Sequence, residues 1–498
     1  MARTRTRTTR AVDYWNLTHP FTPQAVFSDD AIARLHDAAL GVLERDGIQI
    51  NLPEARDILA AAGAIIRDQM VYIGRDLVTE ALCTAPQSWR MRAANPAHER
   101  LYAPGQLLFG PGSGCPNITD RIRGRRPGSL ADYRETIVLQ QSFDVIHFMG
   151  LCVEPQDVPL PLRHYEMMGQ QLTQADKPMF VFARGRGQVS QSFEMIRTGL
   201  NLSEEDWASG TWAYTVINSN SPRQFDIPMA QGIIDFARAG QMLVITPFCL
   251  AGAMAPVTMA GALVLQHAEA LAGITLAQIT RPGAPVSYGG FSSNVDMKSG
   301  APAFGTPEHL KMQIGSGQLA RHIGLPWRSA SGAASNAPDM QSAQETTMAI
   351  WGALMGQATM VLHAAGWLEG GLTFGYEKFI NDIEMLQSIA EICVRPGDSL
   401  DDLALDAIAE VPPGGHFFAA AHTMQRYEHA FYPPLLADLS NFGSWTAAGA
   451  RDSAARAAAI WQKVLADFTP PAQSAEIADR LAPYIETQTK AGGAPPLD

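Results

Sequence analysis

From about residue 105 the chain alternates short apolar runs, polar or glycine-rich loops, and longer segments whose apolar positions recur at helical spacing. The apolar runs predict strands at Leu107–Phe109, Val145–Leu151, Met179–Ala183, Trp212–Ile217, Leu243–Pro247, Val286–Tyr288, Trp327–Ala330 and Met360–His363. Each is followed by a helical pattern, near Ser129–Ser142, Leu162–Gln174, Gln188–Thr198, Asp226–Ala239, Val257–Ile279, Pro307–Ile323, Asp339–Gly356 and Glu377–Ile392. Successive βα units joined by right-handed crossovers make parallel strands, and eight of them close into a cylinder. The fold class expected is therefore α/β, a (β/α)8 TIM barrel over residues 105–395. An open doubly wound sheet usually carries a glycine-rich phosphate loop after its first strand. The run Gly110-Pro-Gly-Ser-Gly-Cys-Pro matches neither GxGxxG nor the P-loop pattern.

Three further regions flank this core. Residues 1–26 read as an arm, disordered or extended, with an Arg-rich start that lacks the apolar segment of a secretory signal. Residues 27–104 read as a helical extension, with a helix opened by Ser28, Asp29 and Asp30 and others over Pro53–Ala62 and Asp76–Ala85. Residues 396–498 read as a mostly helical tail that holds an Ala-rich helix from Thr446 to Asp467 and ends in a disordered Ala491-Gly-Gly-Ala-Pro-Pro.

Composition narrows the function. The 498 residues are 46% hydrophobic and 17% charged, which suits a large buried core and not a disordered chain. A net charge of −12 argues against nucleic-acid binding, which needs basic surface to meet phosphates. The most apolar run, Leu250–Leu276, contains His267 and Glu269 and reads as a buried helix, so no membrane role is expected. Five scattered cysteines without a CxxC pair fit a reducing cytoplasm.

In a barrel of this kind the chemistry gathers on the loops after the strands. That set is poor in charge and rich in Gly, Ser, Asn and aromatic residues. It shows no metal-ligand spacing and no GxSxG elbow. Cys115 is either a nucleophile or a buried structural thiol. Glu154 is either an acid or base or a cap for the next helix. His363 is either a site residue or a satisfied core histidine. Tyr288, Phe291 and Trp367 are core rings unless they converge, in which case their faces can hold a cation.

Four segments carry a family resemblance. They are Gly324-Leu-Pro-Trp-Arg-Ser-Ala-Ser-Gly332 with Ser335-Asn-Ala-Pro-Asp339-Met-Gln341-Ser-Ala-Gln-Glu345; Pro247-Phe-Cys-Leu-Ala-Gly252-Ala-Met-Ala-Pro256; His363-Ala-Ala-Gly366-Trp-Leu-Glu-Gly-Gly371; and Gly414-Gly-His416 with His422-Thr423 and Phe431-Tyr-Pro-Pro. In that combination the chain resembles the trimethylamine:corrinoid methyltransferase family from about residue 27 to about 485. The resemblance implies a TIM barrel that passes a methyl group to the Co(I) of a corrinoid (cobalamin) on a separate protein. It also implies a homo-oligomer. Founding members carry pyrrolysine in the loop after strand seven, at or beside Gly332 here, and this sequence has none. That departure resembles the non-pyrrolysine branch, whose best-known activity is glycine betaine:corrinoid methyl transfer.

The chemistry agrees with that branch. Attack on a quaternary ammonium releases a neutral amine and needs no proton donor, so the protein supplies orientation, water exclusion and a cation site. The expected ring wall is Tyr288, Phe291, Trp367 and Phe374, with Asn218, Asn220 and His363 bonding the distal group of the substrate. Gly332 has no side-chain role and leaves open room, Glu154 adds a favourable charge, and His416 and His422 face the corrinoid protein or pack the tail. No intrinsic metal is expected. Carnitine, proline betaine, choline and trimethylamine stay open as methyl sources, as does a quaternary-amine-binding barrel without catalysis. A lyase or aldolase would need a Schiff-base lysine, for which Lys298 is the candidate.

Overall fold

The computed structural model describes residues 13–497, so the Arg-rich start lies outside the described residues. Seven strands form one parallel sheet in the order Leu108–Phe109, Met360–Leu362, Trp327–Ala330, Val286–Gly289, Met242–Ile245, Ala213–Ile217 and Met179–Phe180. Between them run the helices Leu130–Gln141, Leu160–Gln174, Arg186–Leu200, Ile227–Ala239, Met259–Thr280, Pro307–His322, Met340–Met355 and Tyr376–Cys393. The starts are well specified. Ser129 and Asp132 form a reciprocal capping box, and Asp226, Thr258, Thr306 and Asp339 each cap the first turn of their helix.

The expected eighth strand, Val145–Leu151, does not form, and the sheet is a seven-stranded barrel-like layer instead of a closed eight-stranded barrel. The segment still lies between the two sheet edges: His147 N–H donates to Phe109 O at 2.8 Å and Met149 N–H to Pro178 O at 2.9 Å. Side chains replace the rest of the ladder. Phe109 N–H donates to His147 Nδ1 at 2.9 Å, and Gly150 N–H donates to Gln140 Oε1 at 2.7 Å. Backbone groups satisfied by side chains do not pair with a neighbouring strand, so no register develops.

Helix Met259–Thr280 is long and apolar enough to cross a membrane, but it packs against helices Asp29–Gly41, Pro53–Ala61, Arg75–Thr84 and Ile227–Ala239 and is buried among them. The N-terminal region holds those first three helices and also short strands: Ile48–Ile50, Ile65–Arg67, Met70–Tyr72, Trp89–Met91 and Arg100–Tyr102. Three-residue strands carry too little alternation to be read from sequence. The last two strands form a hairpin whose Tyr102 hydroxyl lies 2.7 Å from Ser287 Oγ in the sheet. The arm follows the same end of the sheet, with Leu107 N–H on Leu17 O and His147 Nε2 on Tyr14 O.

The tail is helical at Ser453–Asp467 and Ser474–Lys490, the second packing on helices Leu160–Gln174 and Arg186–Leu200. Its end is tied down and not free, correcting the expected disorder. Ala494 N–H donates to Pro161 O, Leu497 N–H donates to Arg184 O, and Gln188 donates to Ala494 O.

Burial is the first cause that lowers the pKa of His19, His36, His147, His164, His267 and His309, to about 4 for His36 and His164 and about 3 for His147 and His309. These rings are neutral in the folded chain. Between pH about 6.5 and about 4 the unfolded chain binds protons that the folded chain does not, so stability falls as pH falls through that window. Thermal melts should therefore drop steeply below pH about 6.5, and His309→Gln should flatten the slope. A melting temperature unchanged down to pH about 5 contradicts this reading.

Candidate active site

A cavity of about 330 Å³ is lined largely by residues that follow the C-terminal ends of the sheet strands. Ser113 follows Leu108–Phe109, Phe182 follows Met179–Phe180, and Asn218 follows Ala213–Ile217. Phe248, Phe291, His363 and Trp367 come from the next loops, while Tyr214 and Arg328 enter from inside their strands. Among the described residues no carboxylate lines this cavity. Nor do three His, Cys, Asp or Glu groups gather there or elsewhere in a way that could hold a metal.

Trp367 is the hub of the wall. Its indole stacks on His363 at 4.4 Å between ring centres and lies 5.7 Å from Phe291 and 5.2 Å from Phe304. Its Nε1–H donates to Ser113 O at 3.2 Å. A methyl group on Gly332 or Gly371 would overlap the indole, and one on Gly112 would crowd it. The space beside Gly332 is thus filled by Trp367 and is not the open room expected from sequence. Gly332 also has φ +124°, a conformation that L side chains resist.

His363 adopts φ +55°, unusual for a residue with a Cβ. Its backbone N–H bonds Pro111 O at 3.1 Å and its Nδ1 accepts Ser113 N–H at 3.2 Å. The ring proton therefore sits on Nε2. Burial, then the charge of Arg328, holds its pKa well below the usual range, so the ring is a neutral donor.

Arg328 is 1% exposed. Its Nε and Nη1 have no hydrogen-bond partner among the described residues, and its guanidinium carbon lies 5.1 Å from the Phe291 ring centre. Burial pushes it down to about 9, opposed by interaction with the Tyr102 and Tyr214 phenols, and it stays charged at neutral pH.

Carboxylates serve behind the wall instead. Glu269 accepts from Ser219 Oγ at 2.5 Å, Ser221 Oγ at 2.6 Å and Arg223 N–H at 2.7 Å, pinning the loop that carries Asn218. Glu345 accepts from Ala334 and Ser335 N–H at 2.8 and 3.0 Å, bracing the loop after Trp327–Ala330. Asp382, itself paired with Lys378, accepts from Gly366 N–H at 2.8 Å and fixes the turn before Trp367.

Of the residues singled out from sequence, Asn218, Phe291, His363 and Trp367 line the cavity. The others lie elsewhere. Tyr288 points to the helix layer, where its hydroxyl meets Gln266 and His267. Phe374 packs against Tyr376 and Phe379. Asn220 bonds Asp226 at the start of the next helix. Glu154 pairs with Arg163 and Arg184 on an adjoining cavity of about 20 Å³. His416 is exposed, and the segment that carries it and His422 reaches helix Tyr376–Cys393 through Tyr432 and Leu436. Cys115 is buried, with a thiol pushed up by desolvation, and Lys298 is exposed outside the cavity. Arg328, Tyr214, Phe248 and Ser113 were not singled out; an arginine inside an otherwise apolar strand is the signal that finds the first.

The whole arrangement falls within one sequence family. The family model described as Trimethylamine methyltransferase (MTTB) matches residues 1–493. The chain belongs to this family. It is a methyltransferase by that membership. It is 33% identical to the glycine betaine methyltransferase of Desulfitobacterium hafniense strain Y51, over 94% of this chain and 98% of that one. It is 28% identical to a trimethylamine methyltransferase of D. hafniense, over 93% of each chain, and 29% identical to one from Methanosarcina mazei, over 94% and 95%. A crystal structure of the Methanosarcina barkeri monomethylamine methyltransferase aligns with a TM-score of 0.48 at 8% identity, over 92% of this chain and 87% of that one.

The packing of Trp367 on Gly332 is directly testable. Gly332→Ala should displace the indole, alter the near-ultraviolet tryptophan signal and cost about 2–4 kcal/mol of stability. Combining it with Trp367→Ala should cost less than the two single changes together. A Gly332→Ala protein with unchanged stability and tryptophan signal would remove this contact from the account.

Proposed function

We propose that this chain is a soluble, cytoplasmic enzyme that moves a methyl group from a quaternary ammonium compound to the Co(I) of a corrinoid carried by a separate protein. The observation that carries the reading is the cavity itself: converging rings of Trp367, Phe291, Phe248 and Phe182, with no carboxylate among the described lining residues. Aromatic faces attract a permanent cation by about 0.5–2 kcal/mol each. A carboxylate would hold the charged ground state too well, since positive charge on nitrogen declines in the transition state.

The reaction balances without an acid or base from the protein. The N–CH3 bond breaks with its electron pair staying on nitrogen, giving a neutral tertiary amine. The methyl group passes to cobalt, whose two electrons form the new bond. His363, neutral and locked by Ser113, supplies a hydrogen-bond donor and no proton. The corrinoid protein would approach the cavity from the loop side, and we keep His416 and His422 as candidates for that contact.

The test is spectroscopic. Mixing the protein with free cob(I)alamin and glycine betaine should give the methylcobalamin absorbance and dimethylglycine in equal amounts. Trp367→Ala should weaken betaine binding about 3- to 30-fold. Betaine binding without methyl transfer supports a non-catalytic barrel, and turnover of trimethylamine but not betaine supports the demethylase reading. Either result overturns the proposal.

A further inference from the structure

We infer that Arg328 is the anchor for a carboxylate on the methyl donor, so that the substrate binds as a zwitterion with its acid end inside the sheet and its ammonium end toward the loops. The inference deepens the quaternary-amine reading above and rests on it. Three observations carry it.

The first is that Arg328 lacks a counter-ion among the described residues. Among the described residues no carboxylate lines its cavity, and its Nε and Nη1 are buried without a partner. A buried charge left unpaired is strongly unfavourable, and a ligand of opposite charge would relieve that cost. A guanidinium also suits this task because its planar fork matches a carboxylate.

The second is depth. Arg328 lies inside strand Trp327–Ala330, two residues before its end. Trp367 and His363 lie beyond the end of Met360–Leu362. A donor held by its carboxylate at Arg328 therefore presents its methyl groups to the ring wall and the loop side, from which a cobalt nucleophile must come.

The third is selectivity by repulsion. Arg328 sits against Phe291, the same ring that contributes to the cation site. A substrate with only a positive head would meet an uncompensated like charge there. A zwitterion neutralises it. Arg328 thus discriminates against choline-type ligands as well as favouring betaine-type ones.

Binding measurements separate these claims. The probes are glycine betaine, choline (the same head without the acid) and tert-butylacetate (the same shape with the acid and no cation). The wild-type protein should prefer betaine to choline and should bind tert-butylacetate. Arg328→Met should lose about tenfold to a hundredfold in betaine and tert-butylacetate affinity, the scale of a hydrogen bond to a charged group. The same variant should bind choline more tightly and melt no lower than wild type. Opposite signs for the two ammonium ligands are not what a merely structural arginine produces. Equal betaine binding in wild type and the Met variant, or loss of choline together with betaine, overturns the anchor while leaving the quaternary-amine reading intact. Binding of tert-butylacetate through Arg328 with no binding of either ammonium ligand supports the anchor and overturns that reading instead. Should the Met variant not fold, the wild-type ranking decides: choline binding as tightly as betaine overturns the anchor.

Discussion

Trp367 rests on the backbone of Gly332 and Gly371 and beside Gly112, and through those contacts it locks three loops into one wall. Those loops follow Leu108–Phe109, Trp327–Ala330 and Met360–Leu362, strands that lie side by side in the sheet. Close packing of a large ring on three residues without Cβ atoms is rigid, because no side chain can yield between them. His363 is stacked on the same ring and offsets its left-handed backbone with bonds to Pro111 and Ser113. The cavity is therefore shaped before any ligand arrives, which is what an orientation-dependent methyl transfer asks of a protein.

Charge is partitioned around that wall. Glu269, Glu345 and Asp382 project from helices and accept hydrogen bonds from backbone N–H groups of the cavity loops, and Glu269 also from the Ser219 and Ser221 hydroxyls. Burial raises the pKa of Glu269 and Asp382, opposed by those bonds and, for Asp382, by Lys378. Among the described residues the lining itself is left with one full charge, on Arg328. The acids are thus placed where they hold loops and do not line the cavity.

Much of this was legible in the sequence, and the exceptions have physical causes. The alternation of apolar strands and helices located seven sheet strands and all eight following helices to within a few residues. Val145–Leu151 was apolar enough for a strand, but His147 and Gln140 divert its hydrogen bonds to side chains, which no periodicity records. Its place near a strand end suggests Tyr288 as a wall residue. Successive side chains alternate faces, and here Ser287 meets Tyr102 while Tyr288 turns to the helices. Phe374 packs against Tyr376 and Phe379 at the start of helix Tyr376–Cys393 and so falls on the core side. Arg328 lies inside a strand and not on the loops after strands, where a barrel's chemistry is expected.

We propose one rigid cavity that holds a zwitterion in a single direction. A crystal structure with glycine betaine bound tests it most directly. The carboxylate should lie on the Arg328 guanidinium and the trimethylammonium group against Trp367 and Phe291. A ligand in the reverse orientation, or one bound away from these residues, would contradict it.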